Sequence, residues 1–253
     1  MKYGFVLLGT LQEKIEMAQE AEAAGWDSVF VTDEWGSSWV TLTAIAAHTQ
    51  HIRLGTMVTA LPLHHPWTVA FETAALDHFS QGRVILAVGL GVIELDQTGV
   101  VKDYGIRARM LDEGLTIING LWSGEPFTFS AEHYHLEEMT GLKPLQLPRI
   151  PTWVVGGKKP SQLRRATHAD GAMVQGTPDE IGQWKALVEN QRLSPMPFDI
   201  ITEAETPGDD PERAAAIIAP YAKAGVTWWI ESVWNRDAIA QRQRLRQGPS
   251  RLS

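Results

Sequence analysis

Short runs of β-branched, aromatic and small apolar residues alternate with longer amphipathic stretches along almost the whole chain. The first half reads "YGFVLL" then Leu11 to Ala24, "SVFV" then Thr41 to Gln50, "IRLGTMVT" then Pro66 to Phe79, and "VILAVGLG" then Arg107 to Trp122. The second half continues with "TWVVGG" then Ser161 to His168, "GAMVQG" then Asp179 to Arg192, "FDIITEAE" then Pro211 to Ala224, and "VTWWIESV" then Asp237 to Arg246. Near-continuous apolar runs belong to strands covered on both faces, and a 3.6-residue period belongs to helices lying over them. Eight strand-helix units predict an α/β fold, a closed parallel (β/α)8 barrel of the TIM type in a single domain.

The residues between the units agree with this reading. Gly25 and Gly225 stand where a left-handed helix C-cap belongs, and Thr177-Pro178-Asp179 and Asp210-Pro211 read as helix starts with proline in the first turn. An open doubly wound sheet would need a Gly-rich phosphate turn after its first strand, and "LLGTLQEK" matches that fingerprint poorly. Residues 123–151, between strands four and five, break the rhythm and predict a small hairpin followed by an extended proline-rich segment. The barrel is thus expected over 1–248, with 249–253 as a frayed tail.

Composition narrows the function. With 44% hydrophobic and 21% charged residues in 253 the chain is globular, and no apolar run is long enough for a membrane span. A net charge of −8 disfavours nucleic acid and anionic membrane surfaces. The absence of cysteine excludes disulfides, thiolate metal sites and a cysteine nucleophile. The opening "MKYGFVLLGT" is too short and too strand-like for a signal peptide, so a cytoplasmic enzyme is expected.

In such barrels the chemistry collects where strands end. After strand three come His64 and His65 before Pro66; adjacent side chains at an extended turn diverge, and no HxH or HExxH pattern supports a metal site. His65 reads as a residue of the turn and helix cap, His64 as a residue of a substrate pocket. After strand five, "VVGGKKPS" leaves backbone N–H groups uncovered before a helix opened by Pro160, an arrangement that stabilises anions. Gly156, Gly157, Lys158 and Ser161 are the candidate phosphate contacts. Alternation sends one of Trp228 and Trp229 into the barrel and the other toward the helices, with core packing expected for Trp229. Glu203 and Glu231, ending strands seven and eight, either line the pocket mouth or act as buried acceptors paired with an arginine.

The chain resembles the bacterial luciferase-like flavin-dependent oxidoreductases, whose members use FMN or the deazaflavin F420. The resemblance rests on "AEAAGWDSVFVTDEW", on "IRLGTMVTALPLHHP" followed by "TAALDHFSQGRVILAVGLG", on "RARMLDEGLTIINGLWSGEPFTF" and on "IPTWVVGGKKPSQLRRATHADG". It implies a non-proline cis peptide near Met57 and Val58 beneath the flavin ring, and a flavin phosphate over Gly156, Gly157, Lys158 and Ser161. Gly89 and Gly91 would let the flavin approach strand four, although the luciferase branch carries an arginine where this chain has Leu90. Many relatives place a histidine after the acidic residue ending strand two. Here Glu34 holds that register, so the resemblance assigns acid–base chemistry to Glu34, with burial near Trp35 and Trp39 raising its pKa. Asp33 is left as an acceptor for loop N–H groups.

The resulting expectation is an oxidoreductase or monooxygenase transferring hydride to or from, or activating oxygen on, bound FMN or F420 with a small organic substrate. A flavin or F420 reductase would supply reduced cofactor, and Trp67, Phe71 and Phe79 would suit a homodimer. Lys158, Lys159, Arg164 and Arg165 could begin a basic channel for the oligoglutamate tail of F420, which inclines the reading toward that cofactor. The alternatives are a non-catalytic flavin-binding protein and a metal-dependent barrel hydrolase using His64, His65 and carboxylates.

Overall fold

The computed structural model describes residues 1–33, 37–95, 101–235 and 237–252. Its elements run β1 (Lys2–Leu7), α1 (Leu11–Ala23), β2 (Ser28–Val31), α2 (Ser38–His48), β3 (Arg53–Thr56), β4 (Thr59–Ala60), α3 (Pro66–Phe79), β5 (Val84–Gly89) and α4 (Tyr104–Leu121). They continue with β6 (Pro126–Ser130), β7 (His135–Thr140), β8 (Thr152–Val155), α5 (Pro160–His168), β9 (Gly171–Met173), α6 (Pro178–Glu189), β10 (Asp199–Ala204), α7 (Pro211–Lys223), β11 (Trp228–Glu231) and α8 (Ala238–Arg246). The strands pair in the order β3-β2-β1-β11-β10-β9-β8-β5, and β3 also pairs with β5. Every one of these pairings is parallel, so the sheet closes into an eight-stranded barrel with one helix after each strand position.

The expected third strand is two short ones. β3 and β4 are separated at Met57–Val58, where the peptide bond is cis, and β4 continues the pairing with β5. The strands at positions six and eight are shorter than their apolar runs, because Val174, Val226 and Val233 are buried just outside the ladders. Burial, rather than strand pairing, made those positions apolar.

Capping explains several boundaries. Thr177 accepts from the Glu180 N–H while Glu180 reaches back to the Thr177 N–H, a reciprocal box that satisfies two donors of the first turn of α6. Asp210 accepts from the Arg213 N–H at 3.0 Å and starts α7. Gly25 and Gly225 take φ of +84° and +97° after α1 and α7, where a side chain would be strained.

Large aromatic rings fill the barrel interior, with glycines opposite them. Val6, Phe30, Ile85, Ala87, Trp153, Ile201, Trp228 and Ile230 form this inner cluster. Trp153 and Trp228 meet edge to face at 5.1 Å. A Cβ on Gly4 or on Gly55 would lie 2.6 Å from the Phe30 ring, and one on Gly171 would lie 2.7 Å from Trp153, so each ring occupies space that a side chain would need. Trp229 points the other way and packs against Tyr221 in the layer between strands and helices.

The "LDHFSQGR" stretch is scaffold at the opposite end of the barrel from the strand ends. Arg83 donates to the Ala46 carbonyl, the Thr49 hydroxyl, and the Ile52 and Ser80 carbonyls, tying the end of α2 to the end of α3. Asp77, fully buried, accepts from the backbone and side-chain N–H groups of Gln146. Within 123–151, β6 and β7 form an antiparallel hairpin. Glu113 on α4 fastens its tip through the His133 and Tyr134 N–H groups and the His133 ring. Of the residues expected to suit a dimer, Phe71 and Phe79 are exposed, whereas Trp67 is half-buried, stacked on His65 and edge-on to Tyr134.

Candidate functional site

The C-terminal ends of the strands gather Asp33 after β2, Val58 and His64 around β4, Gly89 on β5, Val155 on β8 and Glu203 on β10 at one face of the barrel. His64 follows a single 3-10 turn, Leu61–Leu63, and its N–H donates back to the Leu61 carbonyl at 3.0 Å. Its Nε2 lies 2.7 Å from Asp33 Oδ2. The same carboxylate accepts from the Ala60 N–H at 3.0 Å and from the Ser38 hydroxyl at 3.1 Å. Asp33 therefore is the loop acceptor that sequence reasoning assigned, and it also orients His64. No local pattern announces a pair separated by 31 residues. His65 occupies the position before α3, makes no side-chain cap, and stacks on Trp67 at 4.9 Å, so the two histidines diverge. Glu34 and Trp35 lie outside the described residues.

Electrostatics at this pair favour an ion pair. The hydrogen bond to Asp33, aided by the charges of Asp33 and Glu72, raises the His64 imidazole above its ordinary value despite burial. Burial alone would raise the Asp33 carboxyl; the hydrogen bond and charge of His64, with the Ala60 and Ser38 donors, outweigh it and leave the carboxyl below its usual range. The sign for stability follows for each group. The raised His64 contributes stability that is complete below the unfolded imidazole value of about 6.5 and is lost as pH rises through the folded value. The depressed Asp33 contributes stability present above about 3.9 and lost as pH falls through its folded value. An NMR titration of the His64 ring is expected to show a midpoint above about 6.5 that drops on Asp33→Asn. A wild-type midpoint at or below that value would dissolve the pair.

Beside the pair lies an apolar shelf. A Cβ on Gly89 would stand 2.9 Å from Val58 Cγ2 and 3.2 Å from Val155 Cγ2, so these two valines close over the strand at that glycine. Val155 is 39% exposed, which leaves apolar surface at the mouth for a planar ring to cover. Met57 and Val58 are half-buried at its edge. Gly91 has φ of +71°, and a Cβ there would lie 3.1 Å from Arg107 Nη1. Arg107 is fully buried and donates to the Leu90 and Val101 carbonyls, fastening the loop after β5. Sequence reasoning placed Arg107 only as a helix start; its role needs the loop to fold back on α4.

The segment after β8 is built partly for itself. Cβ atoms on Gly156 and Gly157 would stand 2.9 Å from Trp184 and 2.3 Å from Gln162 Oε1, so local packing already asks for small residues there. Lys158 is exposed and pairs with Glu180 at 3.3 Å. Ser161 is half-buried in the first turn of α5, Lys159 gives that turn no side-chain cap, and Pro160 has no N–H. The Gln162 and Leu163 N–H groups donate to the Lys159 carbonyl and the Lys159 N–H donates to Gln162 Oε1, so the polar groups that this first turn can turn toward an anion are the N–H and hydroxyl of Ser161. Arg164 and Arg165 both turn to Asp112 on α4, at 3.1 and 2.7 Å, because a carboxylate stands across the helix interface. The basic channel expected from four residues is left with the two lysines.

The two glutamates separate. Glu231 is buried toward the helices and pairs with Arg244 at 3.2 Å. Glu203 stays at the mouth, where it accepts from Trp234 Nε1 at 3.2 Å. Cavities of about 210, 440 and 380 Å³ share Arg149 near the N-terminal ends of β8 and β9, away from the face that carries His64. Among the described residues no group of three His, Asp or Glu side chains is placed to hold a metal ion, and no helix is long and apolar enough to cross a membrane.

Shelf, anion-facing helix start and imidazole–carboxylate pair fit the ring, phosphate and reacting edge of a flavin or deazaflavin. The chain is 29% identical over 199 residues to 4-hydroxyprotoasukamycin monooxygenase of Streptomyces nodosus subsp. asukaensis, covering 72% of this chain and 54% of that protein. It is 32% identical over 173 residues to an F420-dependent glucose-6-phosphate dehydrogenase of Nakamurella multipartita, covering 63% and 50%. The aligned region thus spans about half the length of each of these relatives. In structure it is similar to monooxygenase RslO1 from Streptomyces bottropensis, with a TM-score of 0.85 over 98% of this chain and 97% of that one at 17% identity, a likeness of fold. Residues 4–248 match the model of the luciferase-like monooxygenase family, and with that match across nearly its whole length the chain belongs to this family.

Proposed function

We propose that this protein is an oxidoreductase or monooxygenase that works with bound F420 or FMN on a small organic substrate. The observation that carries the reading is the His64–Asp33 pair standing beside the Val58–Gly89–Val155 shelf, whose Val155 is exposed on the strand-end face. When bound, the cofactor supplies hydride transfer or oxygen activation. The chain's own groups do the rest. Met57, Val58, Gly89 and Val155 support the ring and keep water from its lower face. Gly91 keeps the loop after β5 close to the shelf. The N–H groups that follow Gly156 and Gly157, the Lys158 ammonium, and the N–H and hydroxyl of Ser161 hold the phosphate. His64, oriented through Nε2, gives or takes a proton at Nδ1. If the cofactor is FMN, a separate reductase supplying its reduced form belongs to the same reading.

The test is a titration of the purified protein with F420 and FMN in parallel, followed by cofactor absorption. Saturable binding of one supports the reading, and failure of both defeats it. Gly157→Val is expected to raise the Kd of the bound cofactor by about tenfold or more, since charge-assisted hydrogen bonds are worth roughly 1.5–3 kcal/mol each. Unchanged affinity would move the phosphate elsewhere.

A further inference from the structure

The mouth of the barrel carries one feature that neither cofactor binding nor proton transfer uses. Glu203 aligns with Ile230 in the β10–β11 ladder and follows Ile201 on the same face, and both isoleucines belong to the inner cluster. Its side chain therefore stands above the barrel interior. Trp234, three residues beyond β11, donates its indole N–H to Glu203 at 3.2 Å and is 44% exposed. β10 and β11 lie across the closed barrel from β3 and β5, whose ends carry the Val58–Gly89 side of the shelf, so the pair faces that side over the opening.

We propose that Glu203 and Trp234 form a substrate subsite that receives a cationic nitrogen, protonated or quaternary, on an otherwise apolar substrate. The inference rests on the reading of this face as the active site. Three properties of the pair carry it. Among the described residues Glu203 has no cationic partner, in contrast with Glu231, which has Arg244. An exposed indole attracts a cation to its face through the ring quadrupole. The indole N–H holds the carboxylate edge-on to the ring, so a cation resting on that face meets the negative oxygen too. Anionic substrates are disfavoured at this corner, and the net charge of −8 draws cations toward the protein as a whole.

The test uses benzyltrimethylammonium as the probe, with benzyl alcohol and benzoate as neutral and anionic comparators. Binding is read from the Trp234 indole N–H signal, assigned by its loss in Trp234→Phe. Benzyltrimethylammonium is expected to shift that signal saturably, more tightly than benzyl alcohol, with benzoate weakest. Glu203→Gln keeps an acceptor for the indole but removes the charge, and should raise the probe's Kd by about fivefold to tenfold. Trp234→Leu, followed through neighbouring backbone amides, should weaken it by about threefold or more. Equal affinity for the three probes, no saturable shift, or a Glu203→Gln variant that binds the cation as wild type does would each overturn the subsite. Cofactor titration of the same samples keeps the two readings apart. A protein that binds cofactor but not the cation loses only the subsite, and one that binds neither cofactor loses the proposed function.

Discussion

Turnover is expected to fall by about a hundredfold or more when His64 is replaced by glutamine, with cofactor affinity nearly unchanged. Glutamine can still donate to Asp33, so the loop between β4 and α3 should keep its course. What disappears is a group that can exchange a proton at Nδ1. The pH profile carries the more specific signature. In the wild type one limb of the rate profile should follow the raised pKa of His64, and in the variant that limb should be absent. Asp33→Asn is expected to move the limb toward lower pH, because the neutral amide no longer favours imidazolium. A His64→Gln variant with normal turnover would shift the acid–base role to Glu34, to which the family resemblance assigns it; Glu34→Gln would then show the hundredfold loss instead.

Arg244→Met is expected to cost about 3–5 kcal/mol of stability, because it leaves Glu231 buried without a counter-charge. Glu231 and Arg244 are 1% and 3% exposed. Arg244 also donates to the Thr206 carbonyl at 2.9 Å, the Thr206 hydroxyl at 3.0 Å and the Gly248 carbonyl at 2.8 Å, and lies over the Trp26 ring. The network joins β11, the loop after β10 and the end of α8 next to the seam where β11 meets β1. Burial pushes the Glu231 carboxyl up from its ordinary value, against the pull of Arg244 and the two Thr206 donors. The loss should therefore shrink at lower pH, where a protonated Glu231 needs no cation. Urea unfolding with an unchanged m-value would measure it as a shift in midpoint. The double variant Glu231→Leu with Arg244→Met should recover part of the loss, since an apolar pair removes the uncompensated charge. A single variant as stable as wild type would mean that solvent reaches Glu231 and that the pair closes nothing.

The family motif shows how much can be legible without being understood. "LDHFSQGR" marks the chain as a relative, yet none of its side chains reaches the strand-end face. Arg83 ties the end of α2 to the end of α3 through four hydrogen bonds and Asp77 anchors Gln146 on the segment that leads to β8. Apart from the bond to Ser80, these contacts span 31 to 69 residues, so periodicity and spacing could not reveal them. The glycines behaved similarly. Gly89 and Gly156 are read from the sequence as places where a cofactor approaches, whereas the groups that the fold brings against them are Val58 and Val155 at one and Trp184 and Val174 at the other, from distant parts of the chain.

Order and type of the elements were determined by the sequence itself, because strand and helix periods are local and because five of the eight helices start on a side-chain cap of their own, at Thr10, Asp103, Thr177, Asp210 and Asp237. The divergence of Trp228 and Trp229 followed from the same local rule, since successive side chains of a strand point to opposite faces. Partnerships were decided only by closure of the barrel. Glu203 and Glu231 end neighbouring strands in similar surroundings, and nothing in the chain order says that one meets Trp234 at the mouth while the other meets Arg244 beneath the helices. Asp33 and His64 become one unit only when the ends of β2 and β4 are brought together. The physical reason is range: backbone preference and burial act over a few residues, whereas charge pairing depends on which distant elements the closed sheet makes neighbours.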